Sequence, residues 1–178
     1  MNMSEQEGIG IWITGIPASG KTTITKELVT QLRAYDIPVV ILESDEIRSI
    51  LTPEPIYQED ERNWFYQTLA LLGKSISKNG VHVIFDATGN RREYRDYARS
   101  LFRRFIEVYV QCPLAVCINR DPKGIYRTAK EGKTVSVPVI QVPYEAPKHP
   151  EVVLDGRDLP EENARRIVEY MMALLKKS

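Results

Sequence analysis

A chain of 178 residues, 43% of them hydrophobic, is long enough for one domain with a complete core, so residues 1–178 are predicted to form a single domain. The 24 basic and 24 acidic side chains balance, which argues against a nucleic-acid partner because such binding depends on neutralising phosphates. No apolar run approaches bilayer-spanning length and no signal peptide is recognisable, so a cytoplasmic location without a membrane partner is expected.

Short β-branched runs alternate with longer helical patterns along the chain. This alternation predicts an α/β fold, with a five-stranded, mostly parallel sheet and helices on both of its faces. The strands are predicted at 9–14, 38–43, 81–86, 105–110 and 151–154. The helices are predicted at 21–35, 60–78, 92–104 and 160–177, with a shorter helix at about 123–130.

The arginine-rich helix and the two cysteines are assigned structural roles. A run of charges on a helix is most often a solvated face, which is the interpretation for the arginines of the third long helix. Cys112 and Cys117 fall in an apolar segment and are predicted to be buried free thiols. The arginines are Arg91, Arg92, Arg95, Arg99, Arg103 and Arg104.

The segment at about 121–147 differs from the rest of the chain. Five of the eleven prolines fall between residues 121 and 150, and no long periodicity follows the short helix. Irregular stretches of this length in a compact domain are usually lids, binding loops or disordered. We predict that residues 121–147 form a mobile lid.

The stretch "GIPASGKTT", residues 15–23, follows the first predicted strand and opens the first predicted helix. It satisfies G-x-x-x-x-G-K-[ST], whose glycines turn backbone N–H groups around a nucleotide phosphate at the positive end of a helix. Lys21 is predicted to bridge the β- and γ-phosphates of ATP or GTP, and the Thr22 hydroxyl to bind Mg²⁺. The predicted nucleotide contacts in this phosphate loop are Gly15, Ala18, Ser19, Gly20, Lys21, Thr22 and Thr23.

Two other classes of phosphate-loop protein fit the sequence poorly. The chain contains no N-K-x-D signature of a guanine-specific switch protein. A motor or transporter ATPase is usually larger and needs a partner subunit for its arginine finger. The sequence therefore favours a small kinase, whose acceptor binds beside the phosphate loop under a lid.

Two carboxylates are candidates for the chemistry of such a kinase. In "LESDEIR" the second strand ends at Glu43, and Asp45 follows as the predicted general base or ligand of Mg²⁺. A simpler alternative is that Asp45 caps the following helix, and the two roles are compatible. Asp86 ends the third strand and competes with Asp45 for the role of base.

The chain resembles the adenylylsulfate (APS) kinase family, which transfers the γ-phosphate of ATP to the 3′-hydroxyl of adenylylsulfate and gives PAPS. The resemblance rests on the phosphate loop, "ESDEIR", "CPLAVCINRDPKGIYRTAKEGK" and "PYEAPKHPEVVLD". It extends over about residues 10–173. Its most specific parts are the R-D-x-K-G-x-Y pattern that starts at Arg120 and the P-Y-E-x-P pattern that starts at Pro143.

The resemblance implies roles for individual residues. The family's D-G-D-x-x-R pattern falls on residues 43–48, so Asp45 corresponds to the essential carboxylate and Arg48 to a substrate-binding guanidinium. Arg120 and Lys123 would close over the ATP phosphates, with Arg120 as a nucleotide contact and Lys123 also as a substrate contact. The implied acceptor contacts are Asp45, Arg48, Tyr57, Arg62, Lys123 and Ile140, with Tyr57 stacked on the substrate adenine, and the implied Mg²⁺ ligands are Thr22 and Asp45.

The sequence departs from the family on the acceptor side. Glu43 replaces the first aspartate of the family pair, and Phe65 replaces an asparagine. Gly89 stands at the serine of the family's S-P-Y pattern, and Val137 at a second stacking aromatic. Loss of one stacking partner weakens adenine recognition by about tenfold or more unless Trp64 or Phe65 takes its place.

The leading hypothesis is an ATP- and Mg²⁺-dependent APS kinase that acts on a small-molecule substrate and forms a homodimer, as the resemblance implies. A related kinase of the same fold with another nucleotide-like alcohol as acceptor, such as cytidine diphosphoramidate, is the alternative. A third hypothesis, from a different class, is a regulatory module that binds ATP without turnover.

Overall fold

The computed structural model describes residues 7–133 and 136–176. Five parallel strands form one sheet in the order β2-β3-β1-β4-β5. Each strand is short and rich in β-branched residues, as expected for strands covered on both faces. The strands are β1 (Gly10–Thr14), β2 (Val39–Glu43), β3 (His82–Asp86), β4 (Phe105–Gln111) and β5 (Val152–Asp155).

Seven helices lie within the described residues, and none of them is both long and apolar enough to cross a membrane. Because all five strands run in one direction, each connection between them has to return along a face of the sheet. The helices are α1 (Lys21–Ala34), α2 (Ser44–Leu51), α3 (Glu59–Ser77), α4 (Arg92–Leu101), α5 (Leu114–Arg120), α6 (Ile125–Lys130) and α7 (Pro160–Lys176).

The two faces of the sheet carry two different cores. Alternate side chains of β1 point in opposite directions, so Ile11 and Ile13 pack with α1 and α7 while Trp12 packs with α3 and α4. The first core is almost wholly aliphatic. The second is aromatic, and Trp12 stacks on Phe85 with ring centroids 5.0 Å apart.

The predicted α/β architecture is confirmed, and each predicted strand lies within one residue of the observed one at either end. The sheet is entirely rather than mostly parallel. Helix α4 ends at Leu101, three residues early, because Phe102 is extended and buried against Phe105. Helices α2 and α5 were not predicted, since seven or eight residues show too little periodicity. Residue 177 of the last predicted helix lies outside the described residues.

The prediction of a solvated arginine face on α4 is wrong for Arg95 and Arg99. Arg95 is 1% exposed, and its Nε donates to Glu107 Oε1 at 2.7 Å. Arg99 forms a two-bond contact with Glu151, and this contact raises the pKa of the arginine. Carboxylates on β4 and just before β5 pair with both guanidinium groups and allow Arg95 to be buried, while the Arg99 side chain stays 35% exposed.

The cysteines are free thiols in the described structure. Cys117 is fully buried, and its burial raises the pKa of the thiol to about 12. Cys112 is only partly buried, so the prediction of two buried thiols holds for Cys117 alone. A thiol with such a pKa stays protonated at neutral pH and is a poor nucleophile.

Candidate active site

A cavity of about 850 Å³ opens at the carboxyl edge of the sheet. The carboxyl ends of parallel strands are the usual ligand site in open α/β sheets. The phosphate loop and the first turn of α1 form one wall, and α2 with the start of α3 forms another. The corner between α5 and α6 and residues 156–160 after β5 complete the lining.

The phosphate loop, residues 15–23, has the backbone geometry that its glycines permit. A Cβ at Gly15 would lie 2.6 Å from the Val110 carbonyl oxygen, so a side chain there would push the loop away from β4. Gly20 has φ 107°, which side chains rarely tolerate, and α1 begins at the next residue. Ser19 Oγ is buried and has no hydrogen-bond partner among the described residues. The loop therefore presents an unsatisfied hydroxyl group at the positive end of α1.

Lys21 lies at the centre of the phosphate loop. Its Nζ donates to the carbonyl oxygens of Gly15 and Ile16, at 3.0 Å each. Burial lowers the pKa of the ammonium group, and the carboxylates of Asp86 and Asp45 oppose this shift. The carbonyls and carboxylates thus hold a cation at the position where the sequence predicts nucleotide phosphates.

Asp86 is placed beside the phosphate loop by β3, which pairs with β1 and aligns Asp86 with Ile13. The residue is 4% exposed, and its carboxylate accepts a hydrogen bond from Thr22. Burial raises the pKa of Asp86, while Lys21 and Thr22 work in the opposite direction. Asp86 therefore sits at the bottom of the cavity as a carboxylate shared between a cation and a hydroxyl group.

Asp45 lies near the mouth of the same cavity, in the first turn of α2. Its side chain is 66% exposed and accepts a hydrogen bond from Lys123 Nζ at 2.6 Å. The carboxylate of Glu43 lies 3.8 Å from the same ammonium group, and this acidic environment raises the pKa of Lys123. Glu43 is the N-cap of α2 and no side-chain cap bond forms there, so the capping role considered for Asp45 is not observed.

The acceptor-side wall contains two arginines and a tyrosine. Arg48 and Arg62 are each 9% exposed, and both lie near the Tyr57 ring, with guanidinium-to-centroid distances of 5.2 and 5.5 Å. Tyr57 is 40% exposed and has φ 55°, a left-handed conformation that costs a non-glycine residue about 1 kcal/mol or more. Glu61 accepts a hydrogen bond from Tyr57 N and pairs with Arg48, which holds the wall together.

The residues that depart from the family pattern do not restore a second stacking surface. Phe65 is completely buried and lies 3.7 Å below the Arg48 guanidinium, so it supports the arginine instead of facing a ligand. Trp64 is 49% exposed and is not among the lining residues. Val137 lines the cavity with a small aliphatic side chain. Ile140 is 44% exposed and does not line the cavity, so its contact with the acceptor stays a prediction.

The loop after β5 was missed as part of the site. Gly156 packs directly on the phosphate loop, because a Cβ there would lie 2.2 Å from the Ser19 carbonyl oxygen. Arg120 Nη1 donates to the Gly156 carbonyl at 2.9 Å. Arg120, a predicted nucleotide contact, therefore lies next to the loop after β5. Arg157 and Asp158 also line the cavity. The position of "DGRD" directly after the last strand was the available signal, since that end of the strand lies at the ligand edge.

The start of the predicted lid supports the phosphate loop. Tyr126 Oη donates to the Pro17 carbonyl at 2.8 Å, and burial raises the pKa of this phenol well above its usual value. The Asp121 carboxylate accepts hydrogen bonds from the backbone N–H groups of Tyr126 and Arg127 at the start of α6. These contacts give structural roles to the aspartate and tyrosine of the R-D-x-K-G-x-Y pattern.

The P-Y-E-x-P segment is anchored to the scaffold. Tyr144 Oη lies 3.1 Å from Thr14 Oγ1 at the end of β1. Glu145 Oε2 accepts a hydrogen bond from Arg92 N, and Arg92 Nε donates to the Ala146 carbonyl. The end of the predicted lid is therefore fixed to the start of α4. Lid residues 134 and 135 lie outside the described residues.

Comparison with known proteins agrees with this geometry. A family model described as adenylylsulphate kinase matches residues 7–155. An adenylyl-sulfate kinase of Gloeothece citriformis is 37% identical over 148 residues, which are 83% of this chain and 84% of that protein. A probable adenylyl-sulfate kinase of Pyrococcus abyssi is 37% identical over 163 residues, 91% of this chain and 94% of that protein.

Solved structures give the same result. The APS kinase of Mycobacterium tuberculosis, solved in complex with AMPPNP and APS, is 26% identical, with a TM-score of 0.88 over 93% of this chain and 98% of that one. Shikimate kinase of Aquifex aeolicus, 19% identical with a TM-score of 0.53, covers 95% of this chain and 99% of that one and shares the fold. This chain is therefore a phosphotransferase with an alcohol acceptor, and it belongs to the adenylylsulfate kinase family.

Proposed function

We propose that the enzyme transfers the γ-phosphate of ATP to the 3′-hydroxyl of adenylylsulfate and forms PAPS. The observation that carries the proposal is a single cavity with the phosphate loop on one side and the Arg48–Arg62–Tyr57 wall on the other. Guanidinium groups bind phosphate and sulfate oxygens through paired hydrogen bonds, and an aromatic ring stacks on a base. The cavity therefore suits a nucleotide donor and a second anionic nucleotide as acceptor.

On the donor side, the backbone N–H groups of the phosphate loop and the dipole of α1 bind the nucleotide phosphates. Lys21 adds a fixed positive charge and stabilises the equatorial oxygens of the transferring phosphoryl group. Arg120 and Lys123, which line the same cavity, supply further positive charge. Residues 156–160 line the cavity next to the phosphate loop, and we place the donor base beside them.

The side chains near the phosphate loop fit a magnesium ion. Mg²⁺ prefers hard oxygen ligands, and the Thr22 hydroxyl lies beside the carboxylate of Asp86. Thr22 would hold the ion, with Asp86 and Asp45 as the carboxylates nearest to it. When bound, Mg²⁺ supplies the charge that neutralises the donor phosphates during transfer.

Asp45 is the proposed general base. Its exposed carboxylate faces the cavity near Arg48, whereas Asp86 lies deep beside Lys21 and Thr22. In this assignment Asp45 orients the acceptor hydroxyl and accepts its proton as the phosphoryl group leaves ATP. Lys123 pairs with Asp45, and in this assignment its ammonium group also reaches the donor phosphates.

A coupled assay of ADP release with MgATP and adenylylsulfate tests the proposal. The Asp45→Ala variant is the blank, and Asp60→Ala is the matched control because Asp60 is exposed in the first turn of α3 outside the cavity. Turnover by the wild type and by Asp60→Ala, abolished in Asp45→Ala, is the expected result. ATP binding without turnover of any acceptor would instead support a regulatory module.

A second candidate acceptor is another small nucleotide-like alcohol, such as cytidine diphosphoramidate. The observation that favours it is that no second exposed aromatic ring lines the cavity among the described residues, since Val137 is aliphatic and Phe65 and Tyr66 are buried. Tyr57 is the exposed ring of this wall, while the other lining aromatic, Tyr66, is buried, and one exposed ring discriminates poorly between bases. Comparison of kcat/KM for the two acceptors decides between them, and a higher value for the cytidine compound would replace adenylylsulfate as the substrate.

We also propose a homodimer. Helices α2 and α3 expose large apolar side chains, which commonly mark a contact surface. Light scattering tests the homodimer: its mass should be twice the 20.4 kDa of one chain. The exposed residues are Ile50, Trp64, Leu71 and Leu72.

A further inference from the structure

Asn90 lies where three segments around the acceptor side of the cavity meet. It belongs to the loop between β3 and α4 and is 3% exposed. Its Oδ1 accepts a hydrogen bond from Arg62 Nη1 at 3.0 Å, and its Nδ2 donates to the Pro143 carbonyl at 3.0 Å. Its backbone carbonyl accepts a bond from Glu145 N at 2.7 Å. One residue thus joins α3 to the P-Y-E-x-P segment.

The bond to Asn90 is one of three that fix the Arg62 guanidinium. Arg62 Nε donates to the Tyr57 carbonyl at 3.1 Å, and Nη2 donates to the Ser136 carbonyl at 2.9 Å. A guanidinium group carries five N–H donors, so two of them remain for a ligand. Since the three acceptors come from three different segments, they determine the plane of the guanidinium. None of these three hydrogen-bond acceptors is a carboxylate, so they leave the positive charge of Arg62 unneutralised.

The segment on the other side of Asn90 is itself rigidly held. Arg95 Nη2 donates to the Glu145 carbonyl at 2.6 Å, and the same guanidinium forms the buried ion pair with Glu107. Arg95 also donates to the Gly89 carbonyl, next to Asn90. The amide of Asn90 is therefore positioned by the scaffold, and Arg62 is positioned by the amide.

We propose that Asn90 is a positioning residue that determines acceptor affinity: it orients Arg62 toward an anionic acceptor without neutralising the arginine. This inference rests on the proposed function, in which Arg62 contacts the acceptor. Asn90 affects the binding of the acceptor and not that of the donor, because its contacts lie on the acceptor side of the cavity.

Only an amide serves both partners at this position. Arg62 requires an acceptor and the Pro143 carbonyl requires a donor, and asparagine offers one of each. Aspartate would neutralise Arg62 and place a carboxylate oxygen against a carbonyl oxygen. Proline, the middle residue of the family's S-P-Y pattern, has no amide side chain, so this arrangement belongs to the present chain.

Steady-state kinetics with both substrates test the inference. Asn90→Ala removes the orienting bonds and is expected to raise the KM for adenylylsulfate by about tenfold, the loss that corresponds to a buried hydrogen bond. Asn90→Asp is expected to raise this KM further, because it also neutralises Arg62. The KM for ATP should stay within about twofold in both variants, since Asn90 does not contact the donor side. The matched control is Asn79→Asp, at an exposed asparagine at the end of α3.

The outcomes separate this inference from the proposed function. Absence of wild-type turnover with adenylylsulfate overturns the proposed function and this inference with it. Wild-type turnover with an unchanged KM for adenylylsulfate in Asn90→Ala, or with equal rises in both KM values, overturns the inference alone. If Asn90→Asp lacks a cooperative thermal transition, Asn90→Ala decides the test, because it introduces no charge.

Discussion

The donor and acceptor halves of the cavity are built in different ways. The core of the donor half is one continuous stretch, residues 15–23, whose backbone forms the phosphate-binding surface between β1 and α1. The acceptor half is assembled from side chains of α2, α3, the loop after β3 and the segment after α6. A backbone surface depends on a few glycines, whereas an assembled surface changes with any single side chain. The donor half therefore keeps the family pattern while the acceptor half departs from it.

The cations of the two halves are held differently as well. Lys21 is bound by two backbone carbonyls of its own loop. Arg48 lies on the Phe65 ring, and Arg62 depends on the Asn90 amide. Substitutions on the donor side should therefore affect catalysis with every acceptor, and substitutions on the acceptor side should affect selectivity.

The largest effect is expected from Lys21→Ala. Removal of the phosphate-binding ammonium should lower kcat by about 10²–10³-fold with any acceptor, the loss seen when one transition-state charge partner is removed. ADP release at saturating substrates measures it, with Lys26→Ala on the exposed face of the same helix as control. A loss of kcat confined to one acceptor would contradict the separation between the two halves.

Restoring the family serine at Gly89 should destabilise the protein. Gly89 has φ 48°, and a Cβ there would lie 2.8 Å from Trp12 Cζ2. We expect Gly89→Ser to lower the free energy of unfolding by about 1–3 kcal/mol, measured by urea denaturation. Gly132→Ser is the control, since Gly132 has φ 68° but no neighbour within 4 Å of a Cβ. An equal decrease in the free energy of unfolding in both variants would show that backbone strain, and not the contact with Trp12, causes the destabilisation.

A smaller effect is expected from Arg48→Lys. Lysine keeps the charge but loses the planar group that lies 3.7 Å from the Phe65 ring centroid. The KM for adenylylsulfate should rise by about tenfold, while the KM for ATP stays unchanged. The control is Arg33→Lys at an exposed position of α1. An equal rise in both KM values would show that the acceptor-side wall also affects ATP binding.

The last effect concerns stability at acid pH alone, at the opposite edge of the sheet. His82 Nδ1 accepts a hydrogen bond from Ile9 N, and burial, together with Arg104, lowers the pKa of His82 to about 4. Because the unfolded chain binds this proton more readily, stability should fall as pH decreases from about 6.5 to about 4. One group contributes a slope of at most about 1.4 kcal/mol per pH unit.

Urea denaturation at several pH values measures this slope. His82→Asn keeps a hydrogen-bond acceptor without titrating and should show a weaker pH dependence than the wild type. His149→Asn, at an exposed histidine, should retain the wild-type slope. An identical slope in His82→Asn would remove His82 as the cause.

The sequence predicted most of the fold and the donor half, since both follow from local patterns. Strand boundaries, the phosphate loop and Asp86 depend on periodicity and on which residues end each strand. On the acceptor side, Asp45 was predicted from the end of the second strand, whereas the roles of Arg48, Tyr57, Arg62 and Ile140 were implied only by the family resemblance, and Ile140 does not line the cavity. The short helices α2 and α5 were missed because their stability comes from packing more than from periodicity.

What the sequence determined by itself is the α/β architecture and a phosphate-binding loop at the carboxyl edge of its sheet. These features follow from spacing along one chain segment at a time. The tertiary structure alone decided that Arg95 is buried against Glu107, that Phe65 supports Arg48, and that Asn90 holds Arg62. These contacts join residues that lie 12, 17 and 28 positions apart. Such pairings arise only when the sheet and its helices bring separate segments together, so no local pattern can reveal them.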